Sequence, residues 1–191
     1  MDAAERVREA MRAVPRASFL PRAQRFFALA DTALPIGHGQ TNSQPSTVRA
    51  MLELLDVREG DRILDVGSGS GWTTAILARL CGPTGSVLGV ERVPALVEMG
   101  AANVDRAAMP WARVEAARRG VLGAPEGGPY DRILVSAEAD DLPPQLLDQL
   151  SRGGIMVIPV EGRMLRVRST AAGPEVETSG YYRFVPLVQG P

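Results

Sequence analysis

Lysine is absent from this chain: all 21 basic residues among its 191 are arginine. That excludes a Schiff-base amine, a phosphate-loop lysine and a lysine general base. Cysteine and histidine occur once each, as Cys81 and His38. A single thiol rules out an internal disulfide, and the two residues together cannot anchor an ordinary Cys/His zinc site. No metal is expected, and the natural setting is a reducing, cytoplasmic one. Charge excess is missing as well, with 22 acidic residues against the 21 arginines. This argues against nucleic acid or an anionic membrane held by bulk charge. No apolar run approaches the roughly 18 residues of a membrane span. The first dozen residues carry charges where a signal peptide needs an apolar core. A soluble single domain, large enough for one sizeable core and expected to be a monomer, is what remains.

What is present alternates. Residues 2–13 place Val7, Ala10, Met11 and Val14 on one helical face before Pro15 ends the run. A weaker helix is expected over AQRFFALA. The loop PIGHGQTNSQP follows, and PSTVRAMLELLDV reads as a helix with Pro45 in its first turn. From there RILDV, SVLGV, ARVEAA, DRILVS and GGIMVIPV read as strands, separated by WTTAILARL, PALVEMGAANVDRAA and PPQLLDQL as helices. Apolar strands alternating with helices predict a doubly wound α/β fold with a mostly parallel sheet. After residue 160, RMLRVRST, PEVETS and YYRFVPLV predict antiparallel strands. The chain thus divides into a helical segment and loop (1–44), an α/β core (45–160) and C-terminal strands (161–191), all in one domain.

The sharpest motif is RILDVGSGSGWTTAILARL. A strand ends at Asp65 and Val66, glycines stand at 67, 69 and 71, and a helix begins near Trp72. Glycines there let the backbone turn sharply and let a ligand approach the main chain. Glu91 closes the next strand, where an acid can accept from both hydroxyls of an adenosine ribose. A dinucleotide fingerprint needs a third glycine where Trp72 stands. Asp65, two positions ahead of the first glycine, would repel a pyrophosphate and suits the ammonium and sulfonium groups of S-adenosyl-L-methionine. The start of the Pro45 helix offers unpaired N–H groups to a carboxylate. Ser68 and Ser70 do not sit as a hydrolase elbow requires, since G-x-S-x-G sets its glycines two places from the serine and here they stand one place away.

The stretches AMRAVPRASFLP, LPIGHGQTNSQP, DVGSGSGWTTAILA, GVERVPALVE, PYDRILVSAEADDLP and YRFVPLV occur in the order seen in one family. Over nearly its whole length the chain resembles the protein-L-isoaspartate O-methyltransferases in their bacterial form. The resemblance implies a Rossmann-like, class I S-adenosyl-L-methionine-dependent fold. It also implies methyl transfer to the α-carboxylate of L-isoaspartyl residues in damaged proteins or peptides, a repair reaction. It places Ser43 as the active-site serine, with Thr41, Asn42 and His38 in the substrate loop. Asp65, Gly67, Ser68, Gly69, Gly71, Glu91 and Arg92 become cofactor contacts, with Arg119 and Gly120 at the adenine edge. Two departures stand out: Asn42 where the family has isoleucine, and Arg119 where it has an adenine-binding aspartate. An arginine has no acceptor for the adenine amino group. Those departures leave two alternatives: another peptide or small carboxylate as acceptor, or a binder of the cofactor without activity.

Overall fold

The computed structural model describes residues 2–188. Helix α1 (Ala3–Ala13) opens on Asp2, whose carboxylate caps the Glu5 N–H at 2.7 Å. It buries Val7 and Ala10. A hairpin of β1 (Leu34–Gly37) and β2 (Gln40–Asn42) follows, then α2 (Pro45–Leu55), which buries Val48, Met51, Leu52 and Leu55. The core alternates β3 (Arg62–Val66), α3 (Trp72–Cys81), β4 (Ser86–Glu91), α4 (Pro94–Arg106), β5 (Ala112–Ala116), β6 (Tyr130–Val135), α5 (Pro144–Leu147) and β7 (Leu150–Val160). Strands β8 (Arg163–Thr170) and β9 (Gly173–Tyr181) complete it. Among the described residues no helix is long and apolar enough to cross a membrane.

One seven-stranded sheet runs β5-β4-β3-β6-β7-β8-β9, parallel from β5 to β7 and antiparallel beyond. Side chains alternate between its faces. Ile63, Val87, Leu134 and Val157 pack with α1, α2 and α3, while Leu64, Leu88, Ile133 and Met156 pack with Tyr130 and Leu146 on the other side. Burial on both faces explains why these strands read as continuous apolar runs. Helix cover is unequal. The second face is closed by the short α5 and by loop residues such as Leu122 and Ala124. The strand order reverses at β3, whose neighbours are β4 and β6. Chains leaving β3 and β6 therefore diverge and open a crevice at their carboxyl ends.

Four local expectations differ from the structure. AQRFFALA forms a 3-10 turn over Arg22–Phe27 that buries none of its residues; Phe26 and Phe27 stay exposed and meet edge to face. PIGHGQT is a hairpin, not an open loop, and His38 (φ 54) and Gly39 (φ 71) make its two-residue turn. The helix in PPQLLDQL stops at Leu147, since Leu150 already belongs to β7. YYRFVPLV adds no full strand: Tyr181 ends β9, and the chain then crosses back to a single parallel bridge between Pro186 and Glu138. The glycine turn, in contrast, has the tight packing its sequence implies. A Cβ on Gly71 (φ 82) would lie 2.8 Å from the Gly100 carbonyl oxygen and 2.9 Å from Val104. Gly71→Ala is expected to cost about 1–3 kcal/mol from the left-handed backbone alone. That cost should lower the melting temperature by roughly 3–10 °C in differential scanning calorimetry.

Candidate active site

The glycine turn follows β3 with Gly67, Gly69 and Gly71 all at positive φ. Its main chain is fixed by Gly67 and Ser68 N–H bonds to the Val90 carbonyl and by Gly71 N–H to the Ser68 carbonyl. Asp65 points to the α3 side of the sheet and is wholly buried. Its Oδ2 accepts from the hydroxyls of Thr73 (2.8 Å) and Thr74 (2.7 Å), while Oδ1 has no partner. Burial pushes its pKa up to about 6; the Thr74 and Thr73 hydroxyls oppose that rise, and the Glu91 charge adds to it. The Ser68 hydroxyl is buried and likewise unpartnered.

Glu91, at the end of β4, is held by three backbone donors: Gly69 N–H to Oε2 at 3.0 Å, and Arg92 and Val93 N–H to Oε1 at 2.7 and 2.9 Å. A carboxylate has about four acceptor sites, so hydroxyls can still be received. Two carboxylates, an orphaned carboxylate oxygen and a glycine main chain fit a cationic, hydroxyl-bearing adenosine derivative and disfavour a pyrophosphate. Asp65 lies behind the glycine turn rather than at an open surface, so it acts on a ligand there through its charge.

On the other side of the crevice the hairpin and the start of α2 are gathered by Arg16. Arg16 is only 6% exposed. Nε donates to Asn42 Oδ1 (2.6 Å), Nη1 to the Ala30 carbonyl (3.0 Å), and Nη2 to the carbonyls of Thr32 (2.8 Å), Asn42 (3.0 Å) and Ser43 (3.0 Å). It also lies 5.5 Å from the Trp72 ring centroid. Burial lowers the Arg16 pKa, and the Asp31 charge counters this.

Asn42 is buried, and its Nδ2 donates to Ser70 Oγ at 3.0 Å. Both ends of the amide are thus bonded inside the protein, beneath the loop in which the resemblance puts a substrate contact. Ser43 is half-buried, Thr41 is exposed in β2, and His38 is exposed at the hairpin tip.

The α2 start also differs from expectation. Pro45 has no N–H, and the Ser46 N–H already donates to Asp31 Oδ1 at 2.8 Å. Asp31 Oδ2 accepts from Gln44 Nε2 at 3.0 Å, and these bonds hold its pKa below the usual carboxylate range. The protein's own carboxylate therefore occupies part of the helix terminus. Sequence reasoning missed Arg16, Asp31 and Ser70. Arg16 carried a signal, following Pro15 in an apolar stretch with no acid beside it.

The remaining candidates lie at the cofactor rim. Arg92 is exposed and donates to the Val188 carbonyl at 2.7 Å, tying the C-terminal crossing to the end of β4. Arg119 and Gly120 sit in an exposed turn after β5, where Ala117 N–H bonds the Glu91 carbonyl at 2.8 Å. Trp72 and Trp111 are packing residues whose indole N–H groups donate to the Val14 and Ala78 carbonyls. Cys81 is buried, and its thiol is pushed up to about 11 by that burial.

The model of one protein family, protein-L-isoaspartate(D-aspartate) O-methyltransferase, matches residues 1–191. The chain belongs to that family. Among curated relatives, the protein-L-isoaspartate O-methyltransferase of Methanothrix thermoacetophila is 47% identical over 186 residues, covering 96% of this chain and 88% of the relative. That of Methanococcoides burtonii is 44% identical, covering 96% and 92%. Among solved structures, the Plasmodium falciparum member in complex with S-adenosyl-L-homocysteine is 27% identical, with a TM-score of 0.84 over 97% of this chain and 91% of that one. A second protein-L-isoaspartate O-methyltransferase superposes with a TM-score of 0.87 at 25% identity, over 98% of this chain and 63% of the other.

The raised pKa of Asp65 has a signed consequence. The folded state holds this proton up to about pH 6, whereas an unfolded aspartate loses it near about 3.9. The stability tied to the protonated form is full below the unfolded value and is lost as pH rises through the folded one. Asp65→Asn removes that loss. Relative to the wild type, the ligand-free variant should gain stability between pH 4 and 7, by about 2–3 kcal/mol. Paired urea melts at stepped pH measure it; a gap that does not widen with pH would refute it.

Proposed function

We propose that this chain transfers the methyl group of S-adenosyl-L-methionine to the α-carboxylate of L-isoaspartyl residues in peptides and damaged proteins. The ester it makes serves protein repair, and the enzyme acts as a cytoplasmic monomer. The observation that carries this reading, beside family membership, is that Ser43 and the glycine turn share one buried network running through Arg16, Asn42 and Ser70. A loop suited to holding a carboxylate is thereby fixed against a loop suited to an adenosine cofactor.

When bound, the cofactor supplies a methyl group activated by its sulfonium. Glu91, already oriented by three N–H groups, takes the ribose hydroxyls. The Gly67–Gly71 main chain receives the amino acid end, and the buried Asp65 charge favours its cationic groups. Arg119 and Gly120 border the adenine, and Arg92 steadies this rim.

An isoaspartyl carboxyl has a pKa of about 4 and is ionised at neutral pH. No general base is needed, and alignment of the reactants can supply roughly 7–11 kcal/mol. Thr41 and Ser43 hold the carboxylate through uncharged donors that leave its nucleophilic lone pair available. Arg16 keeps a positive charge beneath this loop, but its N–H groups are filled by carbonyls, so it does not pair with the nucleophile. His38, at the exposed hairpin tip, is left to the peptide beyond the carboxylate. Asn42 is reassigned from substrate contact to support.

Labelled methyl from S-adenosyl-L-methionine should enter an isoaspartyl peptide and not the matching aspartyl peptide; equal or absent labelling would sink the assignment. Ser43→Ala removes a bond to a charged group, about 1.5–3 kcal/mol. Turnover should fall roughly 10- to 150-fold while the dissociation constant for S-adenosyl-L-homocysteine stays close to wild type. Arg119→Asp restores an acceptor for the adenine amino group and should tighten that constant roughly tenfold. Calorimetry decides, and weaker binding would place Arg119 away from the adenine.

A further inference from the structure

We infer that the Asn42–Ser70 hydrogen bond couples the two ligands, so that cofactor on the glycine turn fixes the hairpin that receives the isoaspartyl carboxylate, and peptide on the hairpin tightens the cofactor. The inference rests on the proposed function above. The hairpin is short, with three residues in β2 and a two-residue turn. Such a two-stranded unit has little stability of its own, so its tethers set its position. Three are visible. Arg16 gathers its far end, Ile36 packs where a Cβ on Gly69 would lie 3.3 Å away, and Asn42 bonds Ser70.

Of these, the Asn42 amide is the polar contact that joins the hairpin directly to the glycine turn. Its carbonyl oxygen is held by Arg16 and its amino group by the Ser70 hydroxyl. Ser70 is fixed from the opposite side, where Asn103 Nδ2 donates to its carbonyl at 2.8 Å. The turn is thus clamped between an asparagine of the hairpin and an asparagine of α4. A shift of the turn on cofactor binding moves the Ser70 hydroxyl. That movement reaches Ser43 through Asn42, because the Asn42 and Ser43 carbonyls share one Arg16 nitrogen. An apolar side chain at 42 would cut this path and leave Arg16 Nε without its acceptor. Linkage requires the effect to be reciprocal. Asn42 is on this view a positioning residue, acting through Ser70 and Ser43.

The test is the dissociation constant for S-adenosyl-L-homocysteine, by calorimetry, with and without saturating isoaspartyl peptide. In the wild type the peptide should tighten it at least about fivefold, the low end of common coupling factors. In Ser70→Ala and in Asn42→Leu that factor should fall to within about twofold of one, and the double variant should fall no further, since one bond is being removed twice. Ser70→Ala leaves the Arg16–Asn42 bond intact, so it reads the link even if Asn42→Leu folds poorly. Ser70→Thr, which keeps the hydroxyl, should restore the factor. A wild-type factor in Ser70→Ala would overturn the coupling while leaving the methyltransferase reading untouched. The same holds for a wild type that binds both ligands without mutual effect. Failure of the wild type to bind S-adenosyl-L-homocysteine would remove both.

Discussion

A single buried cation organises the site. Among the described residues Arg16 has no carboxylate within ion-pair distance, and its charge is met by four carbonyl groups of the main chain and one side-chain amide oxygen. Taking a guanidinium out of water is unfavourable unless its donors are satisfied. The folded loop is the set of acceptors that makes this burial tolerable. The dependence runs both ways: residues 30–43 form no extended regular structure beyond a short hairpin, and their carbonyls would need water if the guanidinium were absent. Without it, the hairpin, the Asp31 cap and the start of α2 lose their common anchor. Trp72, which begins α3, lies against the same guanidinium and donates to Val14. The anchor is therefore continuous with the floor of the cofactor turn.

Arginine suits this place in a way that lysine would not. Its acceptors lie on two separate stretches of chain, residues 30–32 and 42–43, and a planar fork can address them in fixed directions, whereas an ammonium offers three donors from one point. Its charge cannot be lost in the accessible pH range even though burial lowers its pKa. The three acids of the site divide by environment. Asp31, bonded by Ser46 and Gln44, stays ionised and caps α2. Glu91 receives three main-chain N–H groups and is fixed as an acceptor. Asp65 has two hydroxyl donors and no cation, so its ionised form is disfavoured until a cationic ligand compensates it.

Much of the fold was legible because its signals are local. The strands from RILDV to GGIMVIPV are short apolar runs between glycine or polar breaks, and their burial on both faces is what such runs require. Pro45 and Pro94 marked helix starts, and Gly67, Gly69 and Gly71 marked a turn whose left-handed backbone needs them. What was hidden depends on contacts distant in sequence. Arg16 meets groups 14 to 27 residues away, and nothing in VPRASF states where its donors will go. GHG showed a turn, but only the pairing of Leu34 with Asn42 turns it into a hairpin and points Asn42 inward. The tail YYRFVPLV had a strand-like composition, yet past Tyr181 the described residues form a single β-bridge, to Glu138 in a loop at the end of β6.

The absence of lysine and the solitary histidine, which looked like limits on the chemistry, agree with what the reaction needs. An acceptor carboxylate is already ionised, so a proton-accepting side chain would add nothing to the step. A cation in direct contact would stabilise the ground state more than the transition state, in which the carboxylate charge is being consumed. Placing the cation one layer below, behind the carbonyls it orders, keeps the loop rigid without lowering nucleophilicity. Asn42 fits the same logic. An amide at that position carries the rigidity of the arginine layer across to the glycine turn through neutral hydrogen bonds. An aspartate there would pair with Arg16 and bring a negative charge toward the carboxylate that must be held.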